Sequence, residues 1–147
     1  MHETVNEVLI RGTPEEIMRL AFDLPRWPEF LPHYRFVRVL EQTGERRTVE
    51  MACWRTGIPL RWISHLWVHA AEGRMRFSHI AGPARGMTVV WTLHPEGATT
   101  RVTIHHDLSL EAPLIRSALG RWVVGHFFVG AVAGRTLACL KRAVEGA

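Results

Sequence analysis

From His33 onward apolar side chains recur at every second position, in runs broken at Thr43-Gly44-Glu45, Gly57-Ile58-Pro59, Ala71-Glu72-Gly73, Gly82-Pro83 and Pro95-Glu96-Gly97. Successive side chains on a strand point to opposite faces, so this alternation predicts six consecutive strands at about 34–42, 46–56, 60–70, 74–81, 86–94 and 99–110. A seventh, at 2–11, is carried by Val8-Leu9-Ile10 and stopped by Gly12. The short breaks between runs imply hairpin after hairpin, an antiparallel meander.

The pattern changes period twice. Thr13 is placed as an N-cap, Pro14 at the first helical position and Glu16 to complete a capping box, so a short helix starts there with Ile17, Leu20 and Ala21 as its apolar stripe. The proline-rich stretch from Pro25 to Pro32 leaves room for one more brief helical turn. From Pro113 to about Glu145 the spacing predicts one long helix, and between Ala118 and Gly134 only Arg121 and His126 interrupt its apolar surface. Such a helix has to be covered on most of its circumference. The uninterrupted apolar stretch from Phe127 to Gly134 is far short of the roughly 20 residues that cross a membrane, and Gly130 with Gly134 reads as a close-packing site.

Alternation also sorts candidate functional residues by face. Leu60, Trp62, Ser64, Leu66 and Val68 share one face of their strand, while Arg61, Ile63, His65, Trp67 and His69 share the other. Met87, Val89, Trp91 and Leu93 fall together, as do Val102, Ile104, His106 and Leu108, and these sets are expected to face inward. His79 is expected on the same side as Met75 and Phe77. Each inward imidazole reads either as a core-edge histidine or, near its ordinary pKa, as an acid or base. Ser64 has no G-x-S-x-G elbow and no base beside it in sequence, so a hydrogen-bonding role is expected of it.

A length of 147 residues fits a single domain spanning 1–147, large enough for a core and an internal cavity. The 47% hydrophobic and 22% charged content excludes a disordered or membrane-embedded chain. Eighteen Lys and Arg against 14 Asp and Glu leave a net charge of +4, too mild and too scattered for a nucleic-acid binder, and no RNP-like run is present. Cys53 and Cys139 read as buried thiols, and with no secretory signal at the N-terminus a cytoplasmic setting is the expectation. His65 and His69 lie about 13 Å apart on a strand and cannot share a metal. The outward Trp67 among basic groups suggests a partner contact such as a homodimer.

Several segments carry a family resemblance: Thr13-Pro14-Glu15-Glu16-Ile17, Trp27-Pro28-Glu29 followed by Tyr34, Arg61-Trp62-Ile63-Ser64-His65, Gly82-Pro83 followed by Met87 and Trp91, and Thr136-Leu137 with Leu140-Lys141. In this order, over nearly the whole chain, they resemble the START-like (SRPBCC) superfamily, its polyketide cyclase/aromatase branch and the related coenzyme Q-binding proteins. The resemblance implies an α+β helix-grip fold: a curved antiparallel sheet of about seven strands around a long C-terminal helix, with two short helices after the first strand. It implies a hydrophobic small-molecule ligand in a cavity between sheet and helix, no cofactor and no metal. Trp27, Tyr34, Trp62, Ser64 and Trp91 match cavity positions of the branch. The ligand-facing expectation is Trp27, Trp62, Leu66, Phe77, His79, Met87, Trp91 and Phe127, with Tyr34, Ser64 and His106 as the candidates for chemistry. The branch's catalytic arginine falls where this chain has Leu66, whose isobutyl group cannot hydrogen-bond an enolate oxygen. A ligand-binding protein, a polyketide aromatase/cyclase and a quinone- or lipid-handling accessory protein without stable membrane insertion therefore all stay open.

Overall fold

The computed structural model describes residues 3–108 and 128–146. Strand β1 (Glu3–Arg11) is followed by helix α1 (Pro14–Ala21), a 3-10 turn (Leu24–Arg26) and the one-turn helix α2 (Trp27–Phe30). Then come β2 (Tyr34–Thr43), β3 (Arg46–Arg55), β4 (Ile58–His69), a 3-10 turn (Ala70–Glu72), β5 (Arg74–Ala81), β6 (Thr88–Glu96), β7 (Thr99–Asp107) and helix α3 (Gly130–Glu145). All seven strands join one curved antiparallel sheet in the order β1-β7-β6-β5-β4-β3-β2. The expected α+β helix-grip arrangement is what forms. The expected first half of the long helix, with Phe127, lies outside the described residues.

Several strand ends differ from the sequence reading, among them the start of β6 at Thr88 rather than 86, and two of the differences involve prolines. β4 starts at Ile58 rather than 60, because Pro59 sits one residue inside its start, opposite Trp54, at the turn end where a proline is tolerated. β6 runs on through Pro95 and Glu96. Its N–H groups on one side meet β5, as Leu93 N–H does in donating to the Gly73 carbonyl, but the last β5–β6 pair is Arg74 with Thr92, so the missing Pro95 N–H falls beyond that neighbour.

Inward positions of every strand supply the core. Ile10, Val49, Met51, Leu66, Met75, Phe77, Trp91, Val102 and Ile104 are buried, and Ile17, Leu24, Trp27 and Leu31 of the short helices pack with them. Thr13 caps α1 by accepting from the Glu16 N–H, while the Glu16 carboxylate takes the Thr13 hydroxyl rather than the backbone N–H expected of a full capping box. Helix α3 packs chiefly on β1. Asn6 Nδ2 donates to the Gly130 carbonyl at 3.4 Å, and a Cβ added at Gly134 would lie 3.8 Å from that amide, an ordinary contact, so the spacing at Gly134 does not itself demand a glycine. Farther along, Lys141 Nζ donates to the Leu9 carbonyl at 2.6 Å and Glu145 accepts the Arg11 N–H at 2.9 Å. His33 Nε2 and Thr136 Oγ1, 2.9 Å apart, tie the start of β2 to the middle of α3. No helix among the described residues is long and apolar enough to cross a membrane.

Gly82 adopts φ +112°, and a Cβ there would stand 2.9 Å from both the Arg61 carbonyl oxygen and Trp62 Cβ. Gly82→Ala is expected to cost about 1–3 kcal/mol and lower Tm by several degrees. Gly97→Ala, at φ +69° with nothing within 4 Å, is expected to cost less. Thermal unfolding of both variants checks the order; equal losses would mean that the approach to Trp62 is not tight.

Candidate functional site

The β4–β5 hairpin turns at Ala70–Gly73, and equal counting outward from that turn places Ser64 opposite His79 and Leu66 opposite Phe77. Ser64 Oγ and His79 Nδ1 are hydrogen-bonded at 2.8 Å, with the imidazole tautomer deciding which of them donates. Sequence inspection missed this pair because it looked for a base near Ser64 along the chain. The base comes from the next strand, and the symmetry of the hairpin is the signal that would have found it.

Rings continue the site. The His79 imidazole stacks on Trp62 at 5.7 Å with 21° between planes. Trp62 meets Tyr34 edge-on at 6.2 Å, and Tyr34 meets Trp27 edge-on at 5.1 Å. Trp27 in turn reaches Trp91 at 5.6 Å and Phe77 at 6.5 Å. A hydrogen bond of 3.0 Å from Trp27 Nε1 to the Ala21 carbonyl fixes the ring that joins both ends of the chain of aromatics. Trp27, Tyr34, Ser64, Leu66, Phe77, His79, Met87, Trp91 and His106 are buried, and Trp62 is half-buried. His106 stands two strands from His79, in one row with Val89, Phe77 and Leu66.

Burial sets the protonation of the polar groups. Desolvation pushes His79 down to about 4. His106 is pushed down to about 3, by desolvation first and then by the neighbouring His79 and His105. Both imidazoles are therefore neutral near pH 7, not poised near their ordinary pKa as the sequence suggested. A neutral imidazole still offers one N–H and one lone pair and can polarise a carbonyl. Tyr34 is held well above the ordinary tyrosine value by desolvation, with Cys53 adding to it, so its hydroxyl stays protonated and able to donate. Burial raises the Cys53 thiol to about 11, which leaves it unreactive.

Two of these groups lack partners. Trp62 Nε1 and His106 Nδ1 are closed off from solvent with no hydrogen-bond partner among the described residues, as is Thr4 Oγ1, which lies opposite His106 on β1. Asn6 Oδ1 and His33 Nδ1 share that state, so the unpaired atoms mark a capacity for further hydrogen bonds and not by themselves a site. Ser64 is wholly buried and no carboxylate orients the far side of His79 among the described residues, so the pair lacks the layout of an acyl-transfer nucleophile. Leu66 is likewise wholly buried between Arg47 and Phe77 on the neighbouring strands, and supplies only apolar surface. Among the described residues no group of His, Cys, Asp and Glu could hold a metal. A groove of about 590 Å³ does form between β1 and α3, but none of the expected site residues lines it.

On the outer sheet face Trp67 is overlaid by the Arg76 guanidinium at 4.2 Å and met edge-on by His65. That covering leaves it half-buried rather than a bare ring.

Comparison with known proteins places this geometry. A family model described as polyketide cyclase/dehydrase and lipid transport matches residues 10–128. No curated protein matches the chain. Among solved structures, TTHA0849 from Thermus thermophilus is 25% identical with a TM-score of 0.83, over 98% of this chain and 97% of that one. The Zhui aromatase/cyclase of a Streptomyces species is 15% identical with a TM-score of 0.84, covering 97% and 93%. The di-domain aromatase/cyclase BexL of the BE-7585A biosynthetic pathway is 24% identical with a TM-score of 0.79; it is matched over 99% of this chain but only 47% of its own length.

The lowered imidazoles make stability depend on pH with a fixed sign. His33, at about 4 because of desolvation first and Arg135 second, behaves as His79 and His106 do. Unfolding returns each to about 6.5, so the unfolded chain binds more protons between pH 6.5 and 4. Stability is complete well above pH 6.5 and falls as pH drops toward 4, by up to about 1.4 kcal/mol per pH unit for each of the three rings. Urea unfolding between pH 4.5 and 7.5 is expected to show this slope, and His106→Gln to lessen it by about a third; a flat profile would mean the rings are hydrated.

Proposed function

The chain belongs to the polyketide cyclase/dehydrase and lipid transport family, and from that premise we propose that it takes a hydrophobic small molecule, polyketide-like, aromatic or lipid, between the inner sheet face and the C-terminal helix. The observation that carries this reading is the run of neighbouring rings from Trp91 through Trp27, Tyr34 and Trp62 to His79, with the Trp62 indole N–H unpartnered among the described residues. Ligand sites combine apolar and aromatic walls with a few placed polar groups. Here Trp62 Nε1 and the Tyr34 hydroxyl are donors suited to a ketone or quinone oxygen, and Met87, Leu66 and Phe77 supply apolar wall.

A second reading, a polyketide aromatase/cyclase, is favoured by the Ser64–His79 pair beside Tyr34 and Trp62. In it Tyr34 and a neutral imidazole hydrogen-bond carbonyl oxygens, holding a poly-β-keto chain folded for aldol closure. The apolar Leu66 counts against it, since its isobutyl group cannot stabilise an enolate.

Native mass spectrometry and tryptophan quenching with an aromatic polyketide, a short-chain quinone and a fatty acid test the first reading. At least one probe is expected to bind, with Trp62→Ala weakening it about tenfold; no bound species with any of them would overturn it. For the second, His106→Ala and Tyr34→Phe are expected to slow a measured cyclisation, and unchanged rates in both would defeat the assignment.

A further inference from the structure

Strands β3 and β4 pair without a register shift from Arg46 opposite Trp67 to Arg55 opposite Ile58. Alternation along β3 is therefore unbroken, and Arg47 shares the inner face with the buried Val49, Met51 and Cys53. Its direct neighbour across the ladder is Leu66, and Ser64, which pairs with Val49, is its diagonal neighbour at about 7–8 Å. On the other side it pairs with Gln42 of β2. The inner face opens to solvent at this corner: Val39, which pairs with Val49, is 43% exposed, and Arg47 itself is half-buried.

Counting the inward positions of the described strands leaves two permanent charges. One is Arg55 at the tip of the β3–β4 hairpin, bonded to Thr56 Oγ1. The other is Arg47, whose side chain has no hydrogen bond, ion pair or ring contact among the described residues. Outward arginines of the same sheet are engaged: Arg38 and Arg61 meet Glu50, Arg76 covers Trp67 and Arg101 is held by Glu7 and Glu96. A guanidinium cannot shed its proton and presents a planar fork that fits two carboxylate oxygens at once. Placed where an apolar wall meets water, it attracts an anion more strongly than a fully hydrated one does.

We propose that Arg47 is the headgroup site of the concave face and that the ligand is an amphiphile ending in a carboxylate. The guanidinium pairs with that carboxylate at the open corner, while the apolar body runs inward along Leu66 and Phe77 toward the tryptophans. This rests on the hydrophobic-ligand reading above and adds the chemical class of the ligand and the end by which it is held. It also places a cation on the strand beside Leu66, so the inner face is not without a positive charge there.

The test compares 11-(dansylamino)undecanoic acid with its methyl ester, by dansyl fluorescence, on the wild-type chain, Arg47→Met and Arg47→Lys. Wild type is expected to bind the acid at least tenfold more tightly than the ester, as a charge-assisted hydrogen bond supplies. Arg47→Met is expected to erase that preference while leaving ester binding and Tm unchanged, and Arg47→Lys to restore part of it. Equal binding of acid and ester by wild type, or a preference that survives in Arg47→Met, overturns the headgroup site and leaves the hydrophobic-ligand reading standing; the arginine then only carries its charge out to water. Binding of neither probe overturns the headgroup site, and the hydrophobic-ligand reading is then decided by the polyketide and quinone probes above.

Discussion

Side chains on a pleated strand must alternate, and seven strands in one antiparallel sheet turn that local rule into a single apolar wall. A one-residue slip in any strand would carry Leu66, Phe77, Trp91 or Ile104 to the solvent face, so burial of this wall fixes the register everywhere at once. Covering the wall is the remaining demand. β1 and β2, consecutive in sequence, lie at opposite edges of the sheet, and the short helices that connect them bring Trp27 over the interior, where it touches Tyr34, Phe77 and Trp91. Helix α3 covers the β1 side.

The same wall governs the chemistry of whatever polar group stands on it. Removal from water keeps His79 and His106 neutral and Tyr34 protonated, so these three groups offer hydrogen bonds and no charge. Ser64 and His79 hydrogen-bond one another, whereas Trp62 Nε1 and His106 Nδ1 have no partner among the described residues. A ligand with oxygens spaced along an apolar frame suits such a surface. On the inner faces of the described strands permanent charge stands at Arg47, in the open corner, and at Arg55, at the hairpin tip.

Edges show a second economy. A free strand edge invites pairing with another chain. On β1 the Lys141 ammonium and the Glu145 carboxylate occupy a backbone carbonyl and a backbone N–H, so α3 closes part of that edge with side chains. On β2 the register shifts between Tyr34 and Phe36 and between Val39 and Glu41, and Arg35 and Arg38 lie over the Phe36 ring. Bulges and charge together discourage a further strand there.

Much of this was legible along the chain. Period-two alternation marked six strands and the inward sets around Trp91 and Ile104, and the run Val8-Leu9-Ile10 marked β1, because each strand's pattern is local and needs no partner to be read. Thr13 and Pro14 marked α1 for the same reason. Strand ends at Pro59 and Pro95 were misplaced, since whether a proline stops a strand depends on the neighbour its missing N–H would have met. Only the assembled sheet decided that Ser64 meets His79, that Trp62 stacks on that ring and that burial takes both inner histidines far from their ordinary pKa. A strand's own sequence tells which face a side chain takes; what stands across from it, and how much water is left there, is set by the other strands.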